Sequence, residues 1–249
     1  MSADAWTVTE RDEQMLRFLI SQGQATAEQL TKLYFPTLRA FYKRSQRLEK
    51  IGLLESKNAV DCAAATRGGV RGLVTSLNIK RKRLNSLKIY RVSKGVRRRL
   101  PNGNTELCDD RFVKHQLLLS EVRMRVERCL QGKTYKILND PEIDAETRTR
   151  MYGASLVPDL VFRGEDVNVA VELERSDKSE FDLMLRFSRY RDSGYNKIIY
   201  FCESEAIHRR VKKLATFYRR IAVGFIWGET VYFDRQEMPL ADFIKREVR

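Results

Sequence analysis

Three carboxylates in the second half of the chain have the types and spacing to do chemistry. The segment VPDLVF carries Asp159, and VAVELERSDKS, after twelve intervening residues, carries Glu172 and Glu174. Alternate residues of a strand share a face, so Glu172 and Glu174 point to one side and Leu173 to the other. If the two strands pair as neighbours, Asp159 joins them at the mouth of the first. An oxygen-rich pocket of this kind repels itself unless a hard divalent cation binds. Magnesium or manganese held by Asp159, Glu172 and Glu174 polarises a phosphodiester and prepares water for attack. The acids are embedded in apolar sequence, with Val169, Ala170 and Val171 before the pair and Val157, Leu160, Val161 and Phe162 around the aspartate. Uncompensated carboxylates are costly there. The competing reading is structural, a salt-bridged pair with Arg175, Arg186 or Arg189 as counter-ion.

Other chemistries lack their parts. His115 and His208 are the only histidines, which removes a clustered histidine metal site, a zinc hydrolase and a histidine triad. No GxxxxGK[ST] or GxGxxG occurs, and the Gly68 and Gly69 pair lacks the strand-to-helix setting of a phosphate cradle. Tyr190 and Tyr195 follow the acidic strand, so a covalent phosphotyrosine step stays open beside core packing or base stacking. Cys62, Cys108, Cys129 and Cys202 are widely spaced without a CxxC, which predicts free thiols in a reducing compartment. The N-terminus shows no signal-peptide pattern and no apolar run is long enough to span a membrane, so a cytoplasmic location is expected.

The elements that must position the acids read as α/β. Leu118, Leu119, Val122, Val126 and Cys129 mark one face of a helix. Candidate strands then run over Tyr135 to Leu138, Val157 to Phe162, Val167 to Leu173, Lys197 to Cys202, Ile221 to Trp227 and Thr230 to Phe233. Helices are expected near Ser179 to Tyr190 and Glu205 to Arg220, the latter with Ile207, Val211, Leu214 and Tyr218 on one face.

The first part of the chain differs in both pattern and charge. The 249 residues hold 47 Lys and Arg against 33 Asp and Glu, a formal net charge of +14. Most of the excess lies before residue 110, and residues 67 to 99 contain twelve basic side chains and no acid. A polyanionic partner that neutralises this run releases counterions, so affinity should fall steeply with salt. Thr9 opens a helix with Glu10, Asp12 and Glu13 in its first turn and Met15, Leu16, Leu19 and Ile20 on one face. Thr26 caps a short second helix with Leu30 and Leu33. Pro36 starts a third, bearing Leu38, Phe41, Leu48 and Ile51 with Arg39, Lys43, Arg44 and Arg47 between, and Gly52 ends it. A two-stranded ribbon follows, with Arg67, Arg71, Lys80, Arg81, Lys82 and Arg83 in or near an extended tip. Residues 58 to 86 fit either a long tip or a further short strand.

Helix, helix, basic helix, ribbon resembles a winged helix-turn-helix, and RLEKIGLLE followed by YRVSKGVRRRL is similar to that family's habit. The resemblance implies a third helix in the major groove, with Arg39, Lys43, Arg44 and Arg47 near bases and phosphates, and a wing along the adjacent backbone or minor groove. A winged helix that binds only protein is the alternative. Pro-Asp, spacer, Glu-x-Glu resembles the PD-(D/E)XK restriction-endonuclease superfamily, in which the acids hold metal and the last residue is usually lysine. Here Glu174 occupies the lysine position. Either a displaced base or cation such as Lys178 takes that role, or the site has changed its chemistry, or it is dead, and Glu121 matches the acid that many members place on their first helix. The expected architecture is a winged helix over residues 1–105, then a restriction-endonuclease-like mixed sheet flanked by helices over 106–249.

In order and length the whole chain is similar to the replication-relaxation family and the MobC-type plasmid relaxases. The residues that carry this are the winged-helix phrases, VKHQLLLSEVRMRV at the junction, and the set Pro158, Asp159, Glu172 and Glu174. The resemblance implies strand-specific nicking of plasmid DNA at a transfer origin with magnesium or manganese. It also implies single-stranded DNA after the nick, and accessory mobilisation and coupling proteins as partners. The competing functions are a plasmid or phage replication or transcription regulator with an inactive nuclease domain, and a double-strand restriction or repair nuclease on the same pocket.

Overall fold

The computed structural model describes residues 7–64, 86–97, 112–130, 134–139, 156–165, 167–191 and 193–247, with Leu73, Leu77 and Ile143. The chain forms two compact units, Met1–Ser120 and Glu121–Arg249. Its class is mixed α/β, as expected.

In the first unit, α1 (Glu10–Gln22) starts at a capping box. The Asp12 amide donates to the Thr9 hydroxyl at 3.3 Å and the Thr9 amide donates to Asp12 Oδ2 at 2.8 Å. The helix stops at Gly23, whose φ of 87° suits a residue without Cβ. A short strand β1 (Ala25–Thr26) leads into α2 (Ala27–Tyr34), capped by Thr26 and Gln29. The third helix, α3 (Leu38–Lys50), begins two residues after Pro36, with Thr37 accepting from the Ala40 amide at 3.2 Å. The ribbon is β2 (Leu54–Asn58) against β3 (Lys88–Val92), antiparallel with Ser56 opposite Tyr90. The sequence reading missed β1, which pairs with the other side of β3 and gives the order β1-β3-β2. Two residues carry too little periodicity to read. Helices α4 (Ala59–Ala64) and α5 (Lys94–Arg97) flank the ribbon where a strand or turn was expected.

Met15, Phe18, Leu19, Leu30, Phe41, Leu48 and Tyr90 form one core. The Phe41 and Tyr90 rings meet edge to face with centroids 4.9 Å apart, a geometry that adds to what area burial alone contributes. Leu38 and Ile51, expected on this face, are partly exposed at the two ends of α3.

Helix α6 (Val113–Cys129) contains the division between units, fifteen residues beyond the expected boundary. Its first half belongs to the first unit for a physical reason. Gln116 accepts from Gln22 at 3.2 Å, the Leu117 carbonyl accepts from Gln29 at 2.9 Å, and the Ser120 hydroxyl donates to the Gln24 carbonyl at 3.2 Å. These bonds pair buried polar groups.

The second unit is built on a seven-stranded sheet of order β10-β9-β8-β7-β6-β5-β4. Its strands are β4 (Lys136–Asn139), β5 (Leu160–Arg163), β6 (Asn168–Glu174), β7 (Lys197–Cys202), β8 (Ile221–Phe225), β9 (Thr230–Phe233) and β10 (Gln236–Pro239). β4, β5 and β6 form an antiparallel meander, and β6, β7 and β8 run parallel. Parallel neighbours need crossovers, which α7 (Glu180–Arg191) and α8 (Glu205–Ala215) supply. Ala170, Tyr200 and Cys202 on alternate strand positions pack with Leu183, Phe187, Ile207 and Val211 of these helices. The opposite face carries the second half of α6, whose Arg125 lies over the Phe201 ring at 5.6 Å and donates to the carbonyls of Phe225 and Ile226. Two expected strands, Lys197–Cys202 and Thr230–Phe233, match at both ends, and the others match within three residues at each end. The β9-β10 hairpin and the closing helix α9 (Leu240–Glu247) were not expected.

Candidate functional site

β5 and β6 are neighbours with Leu160 opposite Val171, so Asp159 meets the end of β6 that carries both glutamates. One oxygen of Asp159 accepts from the Leu173 amide at 2.6 Å. Glu172 and Glu174 lie on one face of β6, as the alternation predicts, and each is only 3% exposed.

Glu172 faces α7, where Arg186 and Tyr190 stand one turn apart. The Arg186 guanidinium donates to both carboxylate oxygens at 2.8 Å, and the Tyr190 hydroxyl donates to one of them. Burial pushes the Glu172 carboxyl up to about 7, and the negative charge of Asp159 adds to the rise. Arg186 and Tyr190 oppose it without cancelling it. The phenols of Tyr190 and Tyr200 are driven well above their ordinary value by burial and by the Glu172 charge. Tyr190 is fully buried with its hydroxyl on a carboxylate, so of the roles open to it the structure selects packing and hydrogen bonding.

Glu174 is held by the segment after its own strand. It accepts from the Ser176 amide at 3.2 Å and the Ser176 hydroxyl at 2.9 Å, and Lys178 pairs with its other oxygen. Lys178 therefore stands at the acids, bound to the residue in the lysine position. Beside them opens a cleft of roughly 520 Å³ whose lining includes Lys178, Arg186, Arg189 and Asp182. Cations thus border the acidic cluster on its solvent side. Of the three counter-ions the sequence offers, Arg186 is the one on Glu172, while Arg175 pairs with Glu203 at 3.3 Å.

These groups do not form a magnesium or manganese seat in this arrangement. Both oxygens of Glu172 are engaged by Arg186, Glu174 is neutralised by Lys178, and among the described residues no three His, Cys, Asp or Glu side chains group as a ligand set. Glu121 is not brought to the strand acids in such a set either. Its charge acts on Arg125 instead. The sequence reading offered core packing for Tyr190 but missed its hydrogen bond to Glu172. The available signal was Arg186 and Tyr190 four apart on a helix whose buried residues are Leu183, Phe187 and Tyr190, which brings a hydroxyl and a guanidinium to the sheet face.

On α3, Arg39, Lys43, Arg47 and Lys50 are exposed and follow one another at helical spacing along one stripe. Arg44 departs from its expected place beside DNA. Its Nε donates to both oxygens of Asp12 at 2.9 and 3.1 Å, and its Nη2 donates to the Thr7 carbonyl at 2.8 Å, which ties α3 to the start of α1. Burial raises the Asp12 carboxyl, but the hydrogen bonds from Arg44 and Thr9 outweigh it and hold the group below its ordinary value. Arg67, Arg71, Lys80, Arg81, Lys82 and Arg83 lie outside the described residues. Cys62, Cys129 and Cys202 are free thiols, and no helix among the described residues is long and apolar enough to cross a membrane.

No family model, curated protein or solved structure matches the chain significantly.

Proposed function

We propose that the protein is a duplex-DNA-binding protein of plasmid or phage replication or mobilisation, whose nuclease-like acids serve as an ion-paired framework. The observation that carries this reading is the exposed stripe of Arg39, Lys43, Arg47 and Lys50 on α3, a third helix braced by α1, α2 and a β-ribbon. The acid-free basic run over residues 67 to 99 adds to the same electrostatic attraction. The test is duplex affinity measured across salt concentrations. Replacing Arg39, Lys43 and Arg47 together by alanine should flatten the dependence of log affinity on log salt by about 0.9 for each phosphate that is no longer neutralised. An unchanged slope and affinity would remove α3 as the DNA-contacting element.

A second reading has its own observation. Asp159 lies at the end of β5 beside the stretch of β6 that carries Glu172 and Glu174 on one face, with Lys178 on Glu174, which favours strand-specific nicking of the relaxase kind at a transfer origin. It requires Glu172 to exchange Arg186 for magnesium or manganese, and it brings accessory mobilisation and coupling proteins as partners. A denaturing gel of supercoiled DNA bearing the candidate origin, with magnesium, manganese or EDTA, separates the two. A nick in one strand at one position, lost in Glu172→Ala, establishes the nickase. Binding without a nick leaves the regulator.

A further inference from the structure

The second unit holds another pocket, between the end of α7, β7 and the turn that follows α8. Its floor is apolar, made by Phe187, Tyr190 and Ile198. At its mouth Phe217 is 79% exposed, a large aromatic ring left in water, while Tyr218 is fixed edge-on against Phe187 with centroids 5.2 Å apart. Arg191, Arg219, Arg220 and Ile221 complete the lining, and among the described residues no carboxylate belongs to it. Arg220 donates to the backbone carbonyl of Arg191 at 3.4 Å, which ties the turn after α8 to the end of α7. The cavity is about 200 Å³, below the roughly 300 Å³ at which pockets for drug-sized ligands begin, so it suits a single ring system. An apolar floor, an exposed ring at the mouth and three arginines in the lining have the chemistry of a stacking platform beside a cationic rim.

We propose that this pocket binds one unpaired nucleotide, with its base against Phe217 and Tyr218 and its phosphate on the arginines. The site is separate from α3 and stands if the duplex reading fails. The same chemistry is presented by a single DNA strand and by a free nucleotide, and the charge of the rim suits both.

The full chain should be titrated with labelled ten-residue oligothymidine, with thymidine monophosphate as competitor and a labelled duplex in parallel. Phe217→Ala and Arg219→Ala are surface changes that should leave the circular dichroism spectrum intact. Each is expected to weaken oligothymidine binding roughly tenfold, the size of one base stack, with duplex affinity unchanged. Competition by the monophosphate that is itself weakened by Phe217→Ala identifies a free nucleotide as the occupant. A response by the oligonucleotide alone identifies a strand. Phe217→Trp supplies a local readout, an indole fluorescence quenched by oligothymidine beyond any change in the wild-type protein. Oligonucleotide and monophosphate affinities that are both unaffected by Phe217→Ala and Arg219→Ala overturn the proposal.

Discussion

Glu172 shows how a single side chain can carry the protein's response to pH. Burial and the Asp159 charge push its carboxyl up to about 7 in the fold, from about 4.5 in an exposed chain. Between those values the folded state binds more protons than the unfolded one, so this residue contributes stability below about pH 4.5 that is lost as the pH rises through 7. Comparing urea unfolding of the wild type and Glu172→Gln from pH 4.5 to 7.5 should show a decline in the wild type that the variant lacks, on the order of 1–3 kcal/mol over the window. Parallel pH profiles would mean that Arg186 holds Glu172 ionised throughout. The sequence made the acids legible because period-two alternation and an apolar setting are local properties. It could not choose among Arg175, Arg186 and Arg189, because that depends on how α7 rotates against the sheet. Leu183, Phe187 and Tyr190 set that rotation by burying themselves, and Arg186 is carried to Glu172 as a result.

At the scale of elements, the parts that were legible were those with long apolar runs or strong caps: α1 to α3, β6, β7 and α8. Those that escaped have little sequence of their own. β1 is two residues long and exists because β3 offers it a partner. β10 and α9 follow a turn without glycine, in which Asp234 and Arg235 both adopt positive φ, 48° and 65°. Both residues of this two-residue hairpin loop are in the left-handed region, the geometry of a type I′ turn, for which Asn-Gly or Asp-Gly is the usual signal. Arg235 bears a steric cost that glycine would not. Arg235→Gly should stabilise the protein by about 0.5–1 kcal/mol in thermal or urea unfolding. A loss of stability would mean that the arginine side chain contributes more than the turn strain removes.

For the whole molecule, the place where one unit ends decides what can be cut. The boundary expected near residue 105 followed the change in charge and pattern, but folding follows hydrogen-bond partners. Gln22, Gln24 and Gln29 are satisfied in part by groups between Gln116 and Ser120. A fragment of residues 1–105 should therefore expose these glutamines and melt at least several degrees below a fragment of residues 1–130, as read by circular dichroism. Equal melting temperatures would show that the helix segment is dispensable to the first unit. One rim of the large sheet among the described residues is β10. β10 is four residues long, exposes Gln236, Glu237 and Pro239, and among the described residues pairs with β9 alone. Proline has no amide to offer and Glu237, paired with Lys212, places charge on the strand, so this rim is a poor template for adding strands from other copies.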